Sequence, residues 1–359
     1  MKAALYKGSN EYVYEEAPDP VCPTDGLIVE IAGCSICGTD LKILKQADVK
    51  IEGGKQQQME LPRITGHELS GTILAVGGDV HGYAEGERVT VAVTVPCGAC
   101  RYCAVGAHQM CDDAKIIGYH QDGGFAERMV VTSREIAGSC VNRLPTNVSL
   151  SAAALAEPLS CVVNALEITP VAMGDVVVVI GSGPMGCFFV NLARMLCASK
   201  VFLVEISDTR LAVARGLLEK IGTPPDGYIN AADDELVDRI LAETEGRGAD
   251  LIVTACPSPH AQSQSVRMVA KRGKINFFGG LPRNDSVIPL DTNLIHYKEC
   301  RVAGTHGSAP RHNLIALNLI SSSTVPADDY ITHTLPLEHI MHGIDLAKSG
   351  AALKILIEP

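Results

Sequence analysis

Four cysteines stand within fifteen residues as Cys97-x2-Cys100-x2-Cys103-x7-Cys111, the strongest chemical signal in the chain. Pro96, Gly98 and Gly106 give their loop the turns to fold around one tetrahedral ion. Four thiolates fill such a coordination sphere, so zinc there would be structural. An iron–sulfur cluster uses the same ligand type, but nothing else in the sequence points to electron transfer. A second set is dispersed. In Gly66-His67-Glu68 a histidine stands beside a carboxylate, which alone is an ordinary turn. It becomes a metal site if the chain brings Cys37 from upstream and Glu157 from downstream to the same place. One thiolate, one imidazole and one carboxylate leave a fourth position for water or substrate, the mark of a catalytic zinc. Glu68 is a further carboxylate within reach.

The third set is Gly181-Ser182-Gly183-Pro184-Met185-Gly186, between the apolar run Val176–Ile180 and a helix expected over 184–196. Glycines at 181, 183 and 186 let the backbone turn tightly and approach a pyrophosphate, and the helix start offers amide donors. Glu205 closes the next strand about twenty residues on, as the dinucleotide pattern requires. Its carboxylate can accept from ribose hydroxyls and would repel a 2′-phosphate, which favours NAD over NADP. Arg210 lies near enough to soften that repulsion.

The elements that must hold these sets change character along the chain. Up to about residue 150, short β-branched runs alternate with Gly/Pro/Asp turns, at Met1–Tyr6, Leu27–Ile31, Ser70–Val76 and Arg88–Val95, and the texture is all-β. A short helix is expected from Leu41, and residues 45–61 read as an exposed polar excursion. Beyond 150, helices and strands alternate: Lys200–Val204, Asp208–Ile221, Ala249–Thr254, Lys274–Phe278 and Arg301–Thr305. Continuously apolar strands such as Val176–Ile180 fit a parallel sheet covered on both faces. Leu353–Glu358 is a closing strand.

The 359 residues suit two domains, and 47% apolar residues can bury large cores. No apolar run reaches the roughly 18 residues of a membrane span, and the N-terminus has no signal-peptide core. A net charge of −11 opposes a nucleic-acid footprint, including a zinc-ribbon reading of the cysteine loop. Thirteen cysteines without a secretory signal read as metal ligands and buried thiols in a reducing, cytoplasmic setting. Cys34 is expected as a buried neighbour of Cys37. His120 and His306 are candidates for substrate contact, while Lys42 and Lys45 are expected to be solvated.

These motifs in one order resemble the zinc-dependent medium-chain dehydrogenase/reductase family, in its sorbitol, threonine, butanediol and galactitol-phosphate dehydrogenase branch. The resemblance rests on Cys37-Gly38-Thr39-Asp40, Gly66-His67-Glu68, the cysteine lobe, Gly123-Gly124-Phe125-Ala126-Glu127, Glu157-Pro158-Leu159, the glycine motif, Ile331-Thr332-His333 and Lys354-Ile355. It implies an α/β fold, with a GroES-like β domain at about 1–158 and 307–359 and a Rossmann doubly wound parallel-sheet domain at 159–306. The zinc lobe would span about 96–112, and the active site would lie in the cleft between domains. It implies two zincs per chain. Cys37, His67 and Glu157 would hold the catalytic ion and Glu68 would exchange with water or Glu157. Asp40 would orient His67, and Thr39 would pass the substrate proton outward. Met185, Glu205 and Arg210 would face the adenosine side of NAD, with Phe278-Gly279-Gly280 and Thr305-His306 by the nicotinamide. The expected reaction is hydride transfer between NAD and a polyol or sugar-derived secondary alcohol by a homodimer or homotetramer. Threonine-like and phosphorylated sugar-alcohol substrates are the alternatives, and a non-catalytic scaffold is the reading from another class. Leu41 and Lys42 depart from the family pattern, where a relay histidine is frequent, and Arg128 stands where tyrosine is frequent.

Overall fold

Strand Leu27–Ser35 buries seven of its nine residues, and three other strands pair with it. The computed structural model describes residues 1–8, 10–45, 59–232 and 235–359. The expected polar excursion lies largely outside them. Two compact units emerge: Met1–Cys161 with Gly307–Pro359, and Val162–His306.

In the first unit, Leu27–Ser35 pairs antiparallel with Glu68–Val76 along its length, setting Ser35 opposite Glu68 and Cys34 opposite Leu69. Its first half also pairs with Arg128–Val131. Its last residues receive the C-terminal strand Lys354–Glu358, which sets Leu356 opposite Ser35. Chain segments some 300 residues apart therefore meet where Leu27–Ser35 ends. Leu27, Val29, Leu69, Val89, Phe125 and Ile355 are part of one buried core beneath this sheet.

The second unit is a six-stranded parallel sheet. Its spatial order is Gly227–Asn230, Lys200–Glu205, Val176–Ile180, Ala249–Thr254, Val269–Phe277, Arg301–Gly304. In chain order that is 3-2-1-4-5-6, the doubly wound arrangement that carries dinucleotides at its switch point. All five residues of Val176–Ile180 are buried, as a strand covered on both faces must be.

Some boundaries differ from expectation for local reasons. The helix expected from Leu41 begins at Gly38. Asp40 Oδ2 accepts the Cys37 amide at 2.8 Å, one half of a capping box, which fixes the first turn earlier. The run Arg88–Val95 divides into strands Arg88–Val91 and Thr94–Val95, because the Ala92 amide turns to Cys140 O. Strand Gly227–Asn230 gave no sequence signal: it is short and half-buried throughout.

Candidate functional site

Cys37 follows the end of Leu27–Ser35 and precedes helix Gly38–Lys45, and His67 immediately precedes strand Glu68–Val76. The turn into His67 needs glycine. Gly66 has φ +87°, and a Cβ there would lie 2.8 Å from both Cys34 Sγ and Phe125 Cγ. This brings Cys37 Sγ, a His67 ring nitrogen and a Glu68 carboxylate oxygen within 4.8 Å of one another. Glu157, in the first turn of helix Ala156–Ile168, is buried and acts electrostatically on His67, but it stands outside that mutually close set. The close carboxylate is thus Glu68, where the residue types had put Glu157 first.

Glu68 is already committed. Lys354 Nζ lies 2.6 Å from its Oε1 and 2.5 Å from its Oε2, with both side chains almost fully buried. Ser35 Oγ donates to the same carboxylate. Lys354 also reaches Ile36 O at 3.4 Å, the carbonyl just before Cys37. The three residues sit on adjacent strands of one sheet, and neither Lys354 nor Ser35 was singled out for the site from the sequence.

The field at the site calls for a cation. Burial pushes Asp40 up to about 6 and Glu157 up to about 7, each partly offset by His67. Burial alone would lower His67, yet the negative charge of Cys37, Asp40 and Glu157 lifts it to about 10. After Lys354 has cancelled Glu68, one thiol and two carboxylates still surround one imidazole, and a divalent ion fits that balance. Asp40 and His67 interact through their charges rather than a hydrogen bond: Asp40 Oδ1 and His67 Nδ1 are both buried without a partner.

The cysteine loop is a second donor set. Its four sulfurs also lie within 4.8 Å of one another, with Cys97–Cys103 at 4.0 Å and Cys100–Cys103 at 3.6 Å. Sulfurs on a tetrahedral zinc at ~2.3 Å are spaced by about 3.8 Å, so the loop is the right size. Amides point at the sulfurs, with Cys97 N to Cys111 Sγ at 3.2 Å and Ala99 N to Cys97 Sγ at 3.5 Å. The Asp112 and Cys103 amides hold Cys100 down at about 6, near thiolate at neutral pH, whereas burial pushes Cys111 up to about 12. Cys103→Ala is expected to remove one zinc per chain by metal analysis. Proteolytic nicking between residues 97 and 111 should become about tenfold faster, because the loop has little other core. Unchanged metal content would show that the four thiols hold no ion.

In the nucleotide unit, Gly181 has φ +111°, and a Cβ on Gly186 would lie 1.9 Å from Gly181 O. A Cβ on Gly183 would meet nothing within 4 Å, which is open space at the N-terminus of helix Pro184–Met195. Glu205 is buried and accepts from Ser182 N and Oγ, each at 3.0 Å, and from Ile206 N at 2.8 Å. Met185 is half-buried in the first turn of that helix, and Arg210 is exposed on Asp208–Lys220. Phe278 packs edge-on against Phe189 at 5.0 Å, Gly279 N bonds Thr254 O at 2.7 Å, and Gly280 is exposed. Thr305 Oγ1 donates to Asn276 Oδ1 at 2.9 Å, and His306 is exposed.

Comparison with known proteins decides the family. The description "Alcohol dehydrogenase GroES-like domain" matches residues 23–140, and "Zinc-binding dehydrogenase" matches 184–322. An L-threonine 3-dehydrogenase of Bacillus subtilis is 31% identical over 100% of this chain and 99% of its own. A sorbitol dehydrogenase of Bombyx mori is 29% identical over 99% and 97%. The alcohol dehydrogenase TADH of Thermus sp. ATN1 superposes with a TM-score of 0.85 at 26% identity, covering 100% and 99%. The chain belongs to the zinc-dependent medium-chain dehydrogenase/reductase family. It is an NAD(P)-dependent zinc oxidoreductase of secondary alcohols.

For this dehydrogenase, three contacts around the site went unread in the sequence. Cys161 lies one helical turn after Glu157, with its Sγ 3.6 Å from Glu157 Oε1. Ser160 Oγ lies 2.5 Å from Glu157 O and 2.7 Å from Ser308 Oγ, tying the same helix to the returning chain. Tyr119 packs its ring 5.9 Å from that of His67. An i+4 cysteine on a helix is visible in principle, but only once Glu157 is assigned to the site. Of the other candidates, His120 Nδ1 accepts the Ile116 amide at 2.9 Å, Lys42 is exposed, and Arg128 pairs with Asp19.

Proposed function

We propose that the chain interconverts a polyol or sugar-derived secondary alcohol and its ketone with NAD as the hydride partner. The observation that carries the substrate class is a charge count. Lys354 is the only buried lysine or arginine among the described residues, and Glu68 consumes it. A carboxylate or phosphate on the substrate would find no unspent buried cation near Cys37 and His67, whereas a neutral hydroxylated substrate needs none. The identity to threonine dehydrogenases supports the second reading, an amino-alcohol.

In this reading Cys37, His67 and Glu157 hold the catalytic zinc, with Glu68 held back by Lys354 as the alternate ligand. Zinc bound there supplies Lewis acidity that lowers the pKa of the substrate hydroxyl. Thr39, half-buried with Oγ1 3.5 Å from Cys37 Sγ, accepts the proton of that hydroxyl. Glu205 places negative charge where a 2′-phosphate would sit. Among the described residues, edge strand Arg301–Gly304 pairs on one side only, and exposed Tyr297 precedes it in the chain, a surface suited to a homodimer or homotetramer. Light scattering of Val302→Lys tests that assembly, since an added edge charge should dissociate it. Thirteen free thiols suit the reducing cytoplasm.

The deciding experiment is a reduction screen with NAD+ and NADP+ over polyols, their phosphates and amino-alcohols. Highest kcat/KM on a neutral polyol is expected, and a preference for threonine or a phosphate ester would overturn the substrate class. Glu205→Gln keeps the hydrogen-bond acceptor and removes the charge. It should raise kcat/KM for NADP+ relative to NAD+ by about tenfold or more; an unchanged ratio would remove Glu205 from cofactor choice.

A further inference from the structure

Glu205 ends its strand with a carboxylate that is already engaged on both oxygens. Oε2 accepts from Ser182 N and Oγ, and Oε1 accepts from Ile206 N at 2.8 Å and Ser207 N at 3.3 Å. These four donors fix it against the glycine motif. A second carboxylate stands three residues on. Asp208 opens helix Asp208–Lys220 and is exposed, and Asn230 Nδ2 donates to its Oδ1 at 2.6 Å. Asn230 is the register partner of Glu205 on the neighbouring strand, and adjacent strands run about 4.8 Å apart. Asn230 is itself held. Its Oδ1 accepts from Ala232 N at 2.9 Å, and its carbonyl accepts from Arg239 Nη1 at 3.1 Å. The Asp208 carboxylate is thereby drawn to the ends of these two strands, on the flank of Glu205 away from Val176–Ile180. Two cations lie near in the chain. Arg239 pairs with Glu235 at 3.7 Å. Arg210 is two residues from Asp208, a spacing at which helical side chains do not face each other.

We propose that Asp208 is a second specificity-determining residue for the cofactor: its carboxylate, held at the strand ends by Asn230, repels a 2′-phosphate on the adenosine ribose and adds to the charge of Glu205. The inference rests on the reading of NAD as the hydride partner, with Glu205 on its ribose side. The two carboxylates differ in kind. Glu205 is buried and its charge is answered at short range by four donors, so its removal disturbs the glycine motif as well as the field. Asp208 is exposed and has one donor, so its field reaches an incoming anion through water. That field acts at low ionic strength and is screened by salt. A ribose with a free 2′-hydroxyl carries no charge there and is indifferent to Asp208.

The test measures binding to the zinc-loaded enzyme at low salt, with NADH and NADPH followed by fluorescence and 5′-AMP and adenosine 2′,5′-bisphosphate by calorimetry. Asp208→Asn keeps the acceptor for Asn230 and deletes the charge. It should tighten NADPH and the bisphosphate about fivefold and leave NADH and 5′-AMP within about twofold. The gain should vanish near 1 M salt, where the screening length falls to about 3 Å. Asp208→Lys, which reverses the charge, should gain about 25-fold at low salt. Glu243→Gln is the control for net charge. Glu243 is exposed, and its carbonyl accepts from Lys200 Nζ at 2.9 Å at the start of the Glu205 strand, the far end from Asp208. It should change none of the four affinities. A wild type selective for NADH whose Asp208→Asn variant behaves like Glu243→Gln would overturn the role of Asp208 alone and leave selection to Glu205. A gain undiminished at 1 M salt would also overturn it, since repulsion is then not its source. A wild type that binds NADPH as tightly as NADH would overturn the reading of NAD as the preferred cofactor, and the role of Asp208 with it.

Discussion

Cys37→Ser is expected to lower kcat/KM by about 10³-fold or more and to leave one zinc per chain. Zinc stabilises the developing charge on oxygen by several kcal/mol, and about 4 kcal/mol is a factor of 10³. Serine keeps the size and the turn but supplies no anion at neutral pH. The loss therefore falls on the metal, not on the fold. The flanking frame is independent of the sulfur: Asp40 bonds the Cys37 amide, and Ile36 N bonds Ile355 O at 2.9 Å. NADH binding should persist, because the nucleotide unit has its own buried core of Val178, Phe202, Ile252 and Ile275. Metal analysis, NADH fluorescence and circular dichroism of the purified variant check the three arms. A variant that kept its activity after chelation would refute the metal mechanism. The chelated wild type gives a pH signature as well. His67, lifted to about 10, carries a proton at neutral pH when no ion is present, and Glu157, pushed up to about 7, is partly protonated there, so zinc uptake must displace protons. Zinc affinity should rise from pH 6 to pH 8, with proton release measurable by calorimetry in buffers of different ionisation heat.

What could be read ahead of the structure followed the range of the interaction. The cysteine lobe was legible because its four ligands are local and their spacing is the geometry. The parallel sheet was legible because strands covered on both faces are apolar without interruption, as Val176–Ile180 is. Cys37 and His67 are thirty residues apart, and only the assembled motif order suggested their meeting. The strand pairing that joins them, Ser35 opposite Glu68, is a register, and neither segment alone encodes it. Lys354 lies 286 residues from Glu68, and its stretch, Leu353–Glu358, reads as an ordinary closing strand. Which carboxylate stands close to Cys37 is a side-chain matter of still finer grain. Glu68 and Glu157 are the same residue type, and their difference lies in what each meets: a lysine for one, a cysteine thiol for the other.

Lys354→Met should be the most destabilising single change in the catalytic unit. Methionine matches the volume of the lysine stem, so packing survives, but Glu68 is left as an uncompensated charge under the sheet. Removing one partner of a buried ion pair costs about 3–5 kcal/mol. The urea midpoint of the unit should fall accordingly, and Glu68→Gln in the same chain should restore much of it, since the orphaned charge is then gone. That non-additivity separates loss of charge balance from loss of packing. The lysine's own titration sets the pH window. Burial pulls its pKa down, but Glu68, Cys37 and Glu157 more than offset this, and the folded value is raised. The pair's contribution is therefore fully present below the unfolded lysine value of about 10.4 and is lost only as pH climbs through the raised folded value. Turnover should suffer too, by about 10–100-fold. Freed of Lys354, Glu68 has only Ser35 to hold it and lies within 4.8 Å of the Cys37 and His67 donors, where it competes with the alcohol for the open position. In cobalt-substituted protein the visible spectrum of the variant should then shift with substrate absent and respond less when alcohol is added. A double variant with Glu68→Gln should regain the alcohol response along with the stability. Were Lys354→Met as stable and as fast as the parent, the buried pair would be a bystander, and control of Glu68 would have to come from Ser35 alone.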